Sequence, residues 1–196
     1  DRLTILLEDE EASEKILPVN LPLDIVYEDE DLMVINKQAD TPIHPSQGNY
    51  ENTLANGVAY YFASRQIPFV FRCINRLDRN TTGLLILAKN MLSGAILSDQ
   101  MKKREIHRTY LSIVEGCVPK HGTIDAPIGR KDASVIERHI DWDTGERAVT
   151  HYERLQYKPW NHYPKTAFVP SQGISLVHLK LETGRTHQIR VHMTSM

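Results

Sequence analysis

Cysteine is scarce in this chain. Its two copies, Cys73 and Cys117, are too few for a disulfide framework and too far apart for a C-x-x-C pair. Long hydrophobic runs are missing too. No stretch approaches the roughly 18 to 20 apolar residues that cross a bilayer, so a membrane-embedded protein is excluded. Metal-ligand spacing is lacking: His187 and His192 stand five apart with no Glu between them, and the other seven histidines are scattered. No metal site is expected. There is no internal repeat and no low-complexity tract. A basic, apolar leader is not seen at the start, where residues are acidic, so a cytoplasmic location is the expectation.

What remains is ordinary for a folded, soluble chain. Of 196 residues, 41% are hydrophobic and 24% charged, enough for one compact domain with a real core. The net charge of -2 hides an asymmetry. Asp1 to Asp31 carries eleven acidic and two basic residues; Leu32 to Met196 carries fourteen acidic and twenty-one basic. The body is cationic behind an acidic leader, which suits a polyanion such as RNA because neutralised phosphates release counterions. The plain alternative is a solvated surface. Asp1 in place of Met, and Met196 directly after a polar run, read as cut ends.

The pattern of apolar residues predicts the elements. Leu3 to Leu7 is an isolated apolar patch ahead of an acidic, proline-ended linker. Ile25–Tyr27 and Leu32–Ile35 read as a hairpin turned by Glu28-Asp29-Glu30-Asp31. Leu54, Val58, Tyr61 and Phe62 mark one face of a helix. Leu84–Ala88 reads as a strand buried on both faces, followed by a helix capped by Asn90 and running to about Lys103, with Leu92, Ala95 and Ile96 inward. Thr109–Val114, Ala148–Leu155 and Val177–Leu181 read as strands, Tyr157–Gly173 as a long loop, and Thr186 as the cap of a short helix with Ile189 and Met193. About seven strands and two or three helices give an α+β fold around a mixed, largely antiparallel sheet.

Three stretches carry the chemistry-bearing residues. Asn75-Arg76-Leu77-Asp78-Arg79-Asn80-Thr81-Thr82-Gly83 sets a carboxylate between two arginines just before a strand. Nearby positive charge favours the ionised carboxylate, which then serves as nucleophile or base; a turn with Asp78 on backbone N–H groups is the plainer reading. Leu181 to His192 holds Arg185 and Arg190, either of which is suited to pair with a carboxylate. Lys102 to Tyr110 is a basic run ending in an aromatic, suited to touching phosphate and stacking a base, or else simply a charged helix end with a core tyrosine.

Arg76-Leu77-Asp78-Arg79-Asn80-Thr81-Thr82-Gly83 through Lys89 resembles the signature of the RluA-type pseudouridine synthases. Further segments agree in order. Tyr27 to Lys37 with His44-Pro45 resembles that family's entry hairpin. Arg108-Thr109-Tyr110-Leu111 through Gly116, Gly145 through Tyr152, and Leu181 through Met193 resemble its later motifs. The resemblance spans about Leu21 to Met196. Asn75 stands where His is commonest, and Gln38 and Asp40 stand for the usual Pro and Gly, so the departures bear on loop geometry.

The resemblance implies a pseudouridine synthase fold with flanking helices and a central cleft. It implies residues 21–196 as the catalytic domain, truncated at its C-terminus, with 1–20 as a linker of the kind that follows an S4-type RNA-binding domain. It implies isomerisation of uridine to pseudouridine in structured RNA, ribosomal RNA ahead of transfer RNA, without cofactor or membrane. In the roles it carries over, Asp78 is the catalytic carboxylate, Tyr110 lies against the extruded uracil, and Arg185 pairs with Asp78. Arg76, Thr82, Leu181 and Arg190 bind substrate, Arg76 filling the gap left in the base stack. The alternatives are a non-catalytic RNA-binding protein that keeps the fold, and an N-glycosidase that releases uracil.

Overall fold

The computed structural model describes residues 16–131, 137–159 and 173–196. The chain forms two compact units, one ending at Lys103 and the other running from Arg104 to Met196. Together the described residues form ten strands and three helices. The Leu3 to Leu7 patch lies outside them.

The first unit holds β1 (Ile25–Glu28), β2 (Leu32–Lys37), α1 (Leu54–Ala63), β3 (Arg72–Cys73), β4 (Gly83–Ala88) and α2 (Met91–Lys102). Its strands lie in the order β1-β2-β4-β3, every neighbour antiparallel. The β1–β2 turn falls on the acidic run as expected, because Asp29 accepts from the amides of Asp31 and Leu32 at 2.8 Å each. Met33 pairs with Leu87 and Ile35 with Leu85. All four are buried on one face, each contributing about 1.5 to 3 kcal/mol of apolar transfer. The opposite face of β4 is buried only toward its end: Leu84 is 59% exposed, Ile86 half-buried and Ala88 buried, so the two-faced burial expected from its sequence holds only in part. An antiparallel sheet needs to be covered on one side only.

Helix α1 begins in a capping box between Thr53 and Asn56 and buries Leu54, Val58 and Phe62. The Asn56 side chain also donates to the Leu17 carbonyl at 2.8 Å, fastening residues ahead of β1 to the helix. Helix α2 is capped by Asn90, as its sequence predicts. Its buried face is not the predicted one. Ser93 and Gly94 are buried, while Leu92 and Ile96 are 61% and 51% exposed and Ala95 is exposed as well.

The second unit holds β5 (Arg108–Glu115), β6 (His121–Asp125), β7 (Ile128–Arg130), β8 (Arg138–Ile140), β9 (Val149–Pro159), β10 (Gly173–Leu181) and α3 (Gln188–Thr194). The main sheet has the order β5-β10-β9-β6, again antiparallel, with β7-β8 as a separate ribbon. Val118, Tyr152, Val177 and Leu179 form its core, against which Tyr110, Ile189 and Met193 pack. Strand β9 runs on through Tyr157 to Pro159, and β10 starts at Gly173; only 160–172 of the expected loop falls outside the described residues. Thr186 does not cap α3. The cap position is His187, at φ 58, with no side-chain hydrogen bond to the helix. Among the described residues no helix is long and apolar enough to cross a membrane.

Candidate active site

In the first unit the loop between β3 and β4 carries Arg76, Asp78 and Thr82. Asn75 opens it by standing in for a strand. Its side chain donates to the Leu84 carbonyl at 3.0 Å and accepts from the Ile86 amide at 2.9 Å. That satisfies β4 beyond the end of β3. Leu77 is buried, Asp78 is half-buried, and Arg76 and Thr82 are exposed. The Thr81 amide returns to the Asp78 carbonyl at 3.0 Å, closing a tight turn. Gly83, at φ +124, then redirects the chain into β4 through a conformation that side chains disfavour.

The loop is anchored from below by a buried cation. Lys37, 1% exposed at the end of β2, donates its ammonium to the carbonyls of Gln38, Thr41 and Arg79 at 2.8, 2.9 and 2.8 Å. Burial pushes this ammonium's pKa down; the negative charges of Asp78 and Asp40 oppose that. Asp40 takes the positive φ of 59 at a position where the resemblance leads one to expect Gly. Its carboxylate accepts from the Arg79 guanidinium at 2.7 Å. So one of the two arginines flanking Asp78 is turned to Asp40. The other, Arg76, lies close enough to act electrostatically on His44, whose pKa is lowered first by lost solvation and then by that charge. The His44 ring meets Phe71 edge-on, with centroids 5.1 Å apart.

In the second unit Tyr110 sits on β5 opposite Leu179, and Leu181 ends β10 opposite Arg108. Arg185 follows in the turn between β10 and α3. Its Nε donates to the Arg147 carbonyl at 3.0 Å and its guanidinium pairs with Glu146. Beside it, Glu182 accepts from Arg104 at 2.9 Å and lies 2.8 Å from His151 Nε2. The hydrogen bond with His151, then the Arg104 charge, holds this carboxyl below the usual range against partial desolvation. Arg190 is exposed on α3 and lines a cavity of about 690 Å³ together with Lys131, Arg138, His139 and His187.

Under this turn runs a buried polar chain. Gln188, 3% exposed, donates to the Val149 carbonyl at 3.0 Å and to Thr150 Oγ1 at 2.9 Å. Its own carbonyl accepts from Thr183 Oγ1 at 2.8 Å and from the Arg185 amide at 3.0 Å. Fully buried His192 continues the chain, with Nε2 at 2.9 Å from the Ala126 carbonyl and Nδ1 at 2.9 Å from Thr150 Oγ1. The carbonyl can only accept, so Nε2 bears the proton and Nδ1 accepts from Thr150. Burial keeps this histidine's pKa below the ordinary value.

Within each unit, therefore, Arg76, Asp78 and Thr82 share one loop, while Leu181, Arg185 and Arg190 follow one another through the β10–α3 connection, with Tyr110 on the neighbouring strand. Lys37, Glu146, Gln188, Thr150 and His192 were not among the site residues expected from the sequence. One signal was present: Gln188 and His192 are four apart and so share a helix face, which sets them apart from the His187 and His192 pair. Among the described residues no group of three or more His, Cys, Asp or Glu is placed to hold a metal ion.

The sequence profile described as RNA pseudouridylate synthase matches residues 31–195. The chain belongs to this family. The protein called uncharacterized RNA pseudouridine synthase YhcT, from Bacillus subtilis, is 39% identical over 197 residues, covering 100% of this chain and 61% of its own length. Ribosomal large subunit pseudouridine synthase D of Zymomonas mobilis is 40% identical over 184 residues, covering 91% of this chain and 54% of its own. The chain thus spans little more than half of such relatives. Among solved structures, human RNA pseudouridylate synthase domain containing 1 superposes with a TM-score of 0.69 at 27% identity, over 89% of this chain and 65% of its own. The fold is that of the pseudouridylate synthases, α+β as its sequence predicts.

Proposed function

We propose that this protein isomerises uridine to pseudouridine in structured RNA, with ribosomal RNA as the substrate class and Asp78 as the catalytic carboxylate. The carrying observation is how Asp78 is presented. It is half-buried, in a tight turn whose next carbonyl is held by the buried Lys37 ammonium. Such fixing supports a role that needs one oxygen at a defined place. The reaction breaks the N1–C1′ bond, rotates the uracil and forms a C5–C1′ bond. C5 loses a proton and N1 gains one, so the uridine is rearranged without net oxidation or reduction. The carboxylate assists by attacking C1′, by attacking the ring, or by taking a sugar proton; each route requires the same ionised group.

The other residues take the parts that family membership suggests. The target nucleotide leaves its stack at a cost of a few kcal/mol, and the exposed Arg76 guanidinium offers a planar group to fill the gap. Tyr110 lies against the uracil, Arg185, whose guanidinium pairs with Glu146 in this structure, turns to Asp78, and Leu181 and Thr82 complete the pocket. Arg190, in its basic surroundings, meets phosphate. Ribosomal RNA is favoured over transfer RNA because the relative from Zymomonas is called a ribosomal large subunit pseudouridine synthase.

The test is Asp78→Asn, which keeps shape and removes charge. The variant is expected to bind RNA as the parent does and to leave its target uridine unmodified. Pseudouridine mapping of ribosomal RNA from cells carrying either form reads this directly. Appreciable product from the variant would refute the assignment.

A further inference from the structure

We infer that Gln188 is a positioning residue for Arg185, fixing the backbone from which the arginine reaches its carboxylate partner. The inference rests on the catalytic part proposed above for Arg185. Gln188 touches no reacting atom in that scheme; it acts through its neighbour.

The geometry is unusually complete. A glutamine side chain has two N–H donors and a carbonyl with two lone pairs. At Gln188 all four are used, within 2.8 to 3.0 Å. The two donors face strand β9, at Val149 and Thr150. The two acceptor positions face the β10–α3 turn, at Thr183 and the Arg185 amide. Thr183 in turn accepts from the Val149 amide at 2.9 Å, so the turn and the strand are cross-braced through one amide group. Burial at 3% exposure keeps water from replacing any of these bonds.

The consequence for Arg185 is directional. Its guanidinium and its Nε have partners of their own, Glu146 and the Arg147 carbonyl. These hold the far end of a long, flexible side chain. The near end is held by Gln188: its side-chain carbonyl accepts from the Arg185 amide at 3.0 Å, from inside the protein, and its own amide donates to the Arg185 carbonyl at 3.2 Å. Placement of a catalytic group to a fraction of an ångström is worth large factors in rate, whereas loose placement leaves RNA contacts elsewhere intact. Gln188 should therefore govern turnover and leave affinity alone. Thr150 provides the contrast. It belongs to the same buried chain, yet lies on the side of Gln188 away from Arg185.

The experiment uses the full-length protein and ribosomal RNA from cells lacking the gene, labelled with tritium at uridine C5. It reads single-turnover tritium release, Kd by filter binding, and Tm, at a temperature where all forms are folded. Gln188→Met is expected to slow release at least ten-fold with Kd within two-fold. Gln188→Glu keeps an acceptor toward the Arg185 amide, and Thr150→Val breaks the chain on its far side. Both should stay within three-fold in rate although both melt earlier. In an Arg185→Lys background, adding Gln188→Met should cost less than two-fold. Should Gln188→Met not fold, Thr183→Val, which removes a brace on the same carbonyl, takes its place with at least a three-fold loss. Rates that fall in step with Tm across the variants would overturn the proposal. So would a Gln188→Met effect undiminished by Arg185→Lys. Failure of the underlying reading has its own sign: Arg185→Lys alone would then turn over at the parent rate.

Discussion

The Lys37 ammonium stands 2.8 Å from the Arg79 carbonyl, one peptide beyond Asp78. A buried cation thereby holds the carboxylate-bearing loop through backbone alone. Lys37→Met fills similar space and removes the ammonium donor from the Gln38 and Thr41 carbonyls, while the Arg79 carbonyl still accepts from the Thr41 amide at 3.2 Å. Each buried acceptor so stranded costs about 1 to 3 kcal/mol, less where water reaches it. A loss of about 3 kcal/mol in urea unfolding is expected, together with a slower reaction. Unchanged unfolding would show that the anchor does not matter.

His192 makes stability depend on pH with a definite sign. Its folded pKa lies below its unfolded one, so the unfolded state binds the proton more readily. Its contribution is complete above the ordinary histidine value near 6.5 and drains away as pH falls from there toward the folded pKa. His44, also lowered, acts in the same sense. A His192→Gln variant isolates the first effect. Its unfolding free energy should vary less than the parent's between about pH 7 and 5. Parallel curves would contradict the buried, neutral assignment.

Tyr110→Phe should keep the β5 packing, since Phe retains the aromatic ring of a residue packed against the core of the second unit. RNA affinity is expected to stay within a few-fold, while turnover falls on the order of 100-fold if the hydroxyl moves a proton. Single-turnover assays with equal rates would remove the hydroxyl from the chemistry.

Asp40 sets two small effects against each other. Replacing it by Gly relieves a left-handed backbone, worth up to about 1 kcal/mol. It also deletes an ion pair whose members are 62% and 77% exposed, worth about 0 to 1 kcal/mol after screening. Asp40→Gly is thus expected to leave unfolding within roughly 0.5 kcal/mol of the parent. A larger loss would mean that the pair does more than tether a surface loop.

Much of this fold was legible because its clues are local. The acidic hairpin turn, the Asn90 cap and the face of α1 each announce themselves within a few residues. Helix α2 misled for a physical reason. A Cβ at Gly94 would lie 3.2 Å from Arg72 Cδ and 3.5 Å from Ala88 Cβ, so the helix sits too close to β4 for large side chains. Ser93 donates to the Asp31 carbonyl at 2.8 Å from the same face. Small residues were chosen for close approach, and apolar periodicity pointed the opposite way. The short strands β6, β7 and β8 lack a run of apolar or β-branched residues long enough to read. Of the site, the motif residues were visible by resemblance, but their supports were not. Lys37 and Gln188 are polar side chains doing interior work, and hydrophobic patterning has no means of marking them.

Asn75 has a last implication. Because its side-chain amide supplies the rung that β4 would otherwise take from a neighbouring peptide, the chain from Arg76 to Thr82 is released from the β3–β4 pairing and is held instead at the Arg79 carbonyl by Lys37 and Thr41. Residues inserted or deleted there need not slip the pairing of the sheet. The scaffold can keep its alignment while this connection is remade.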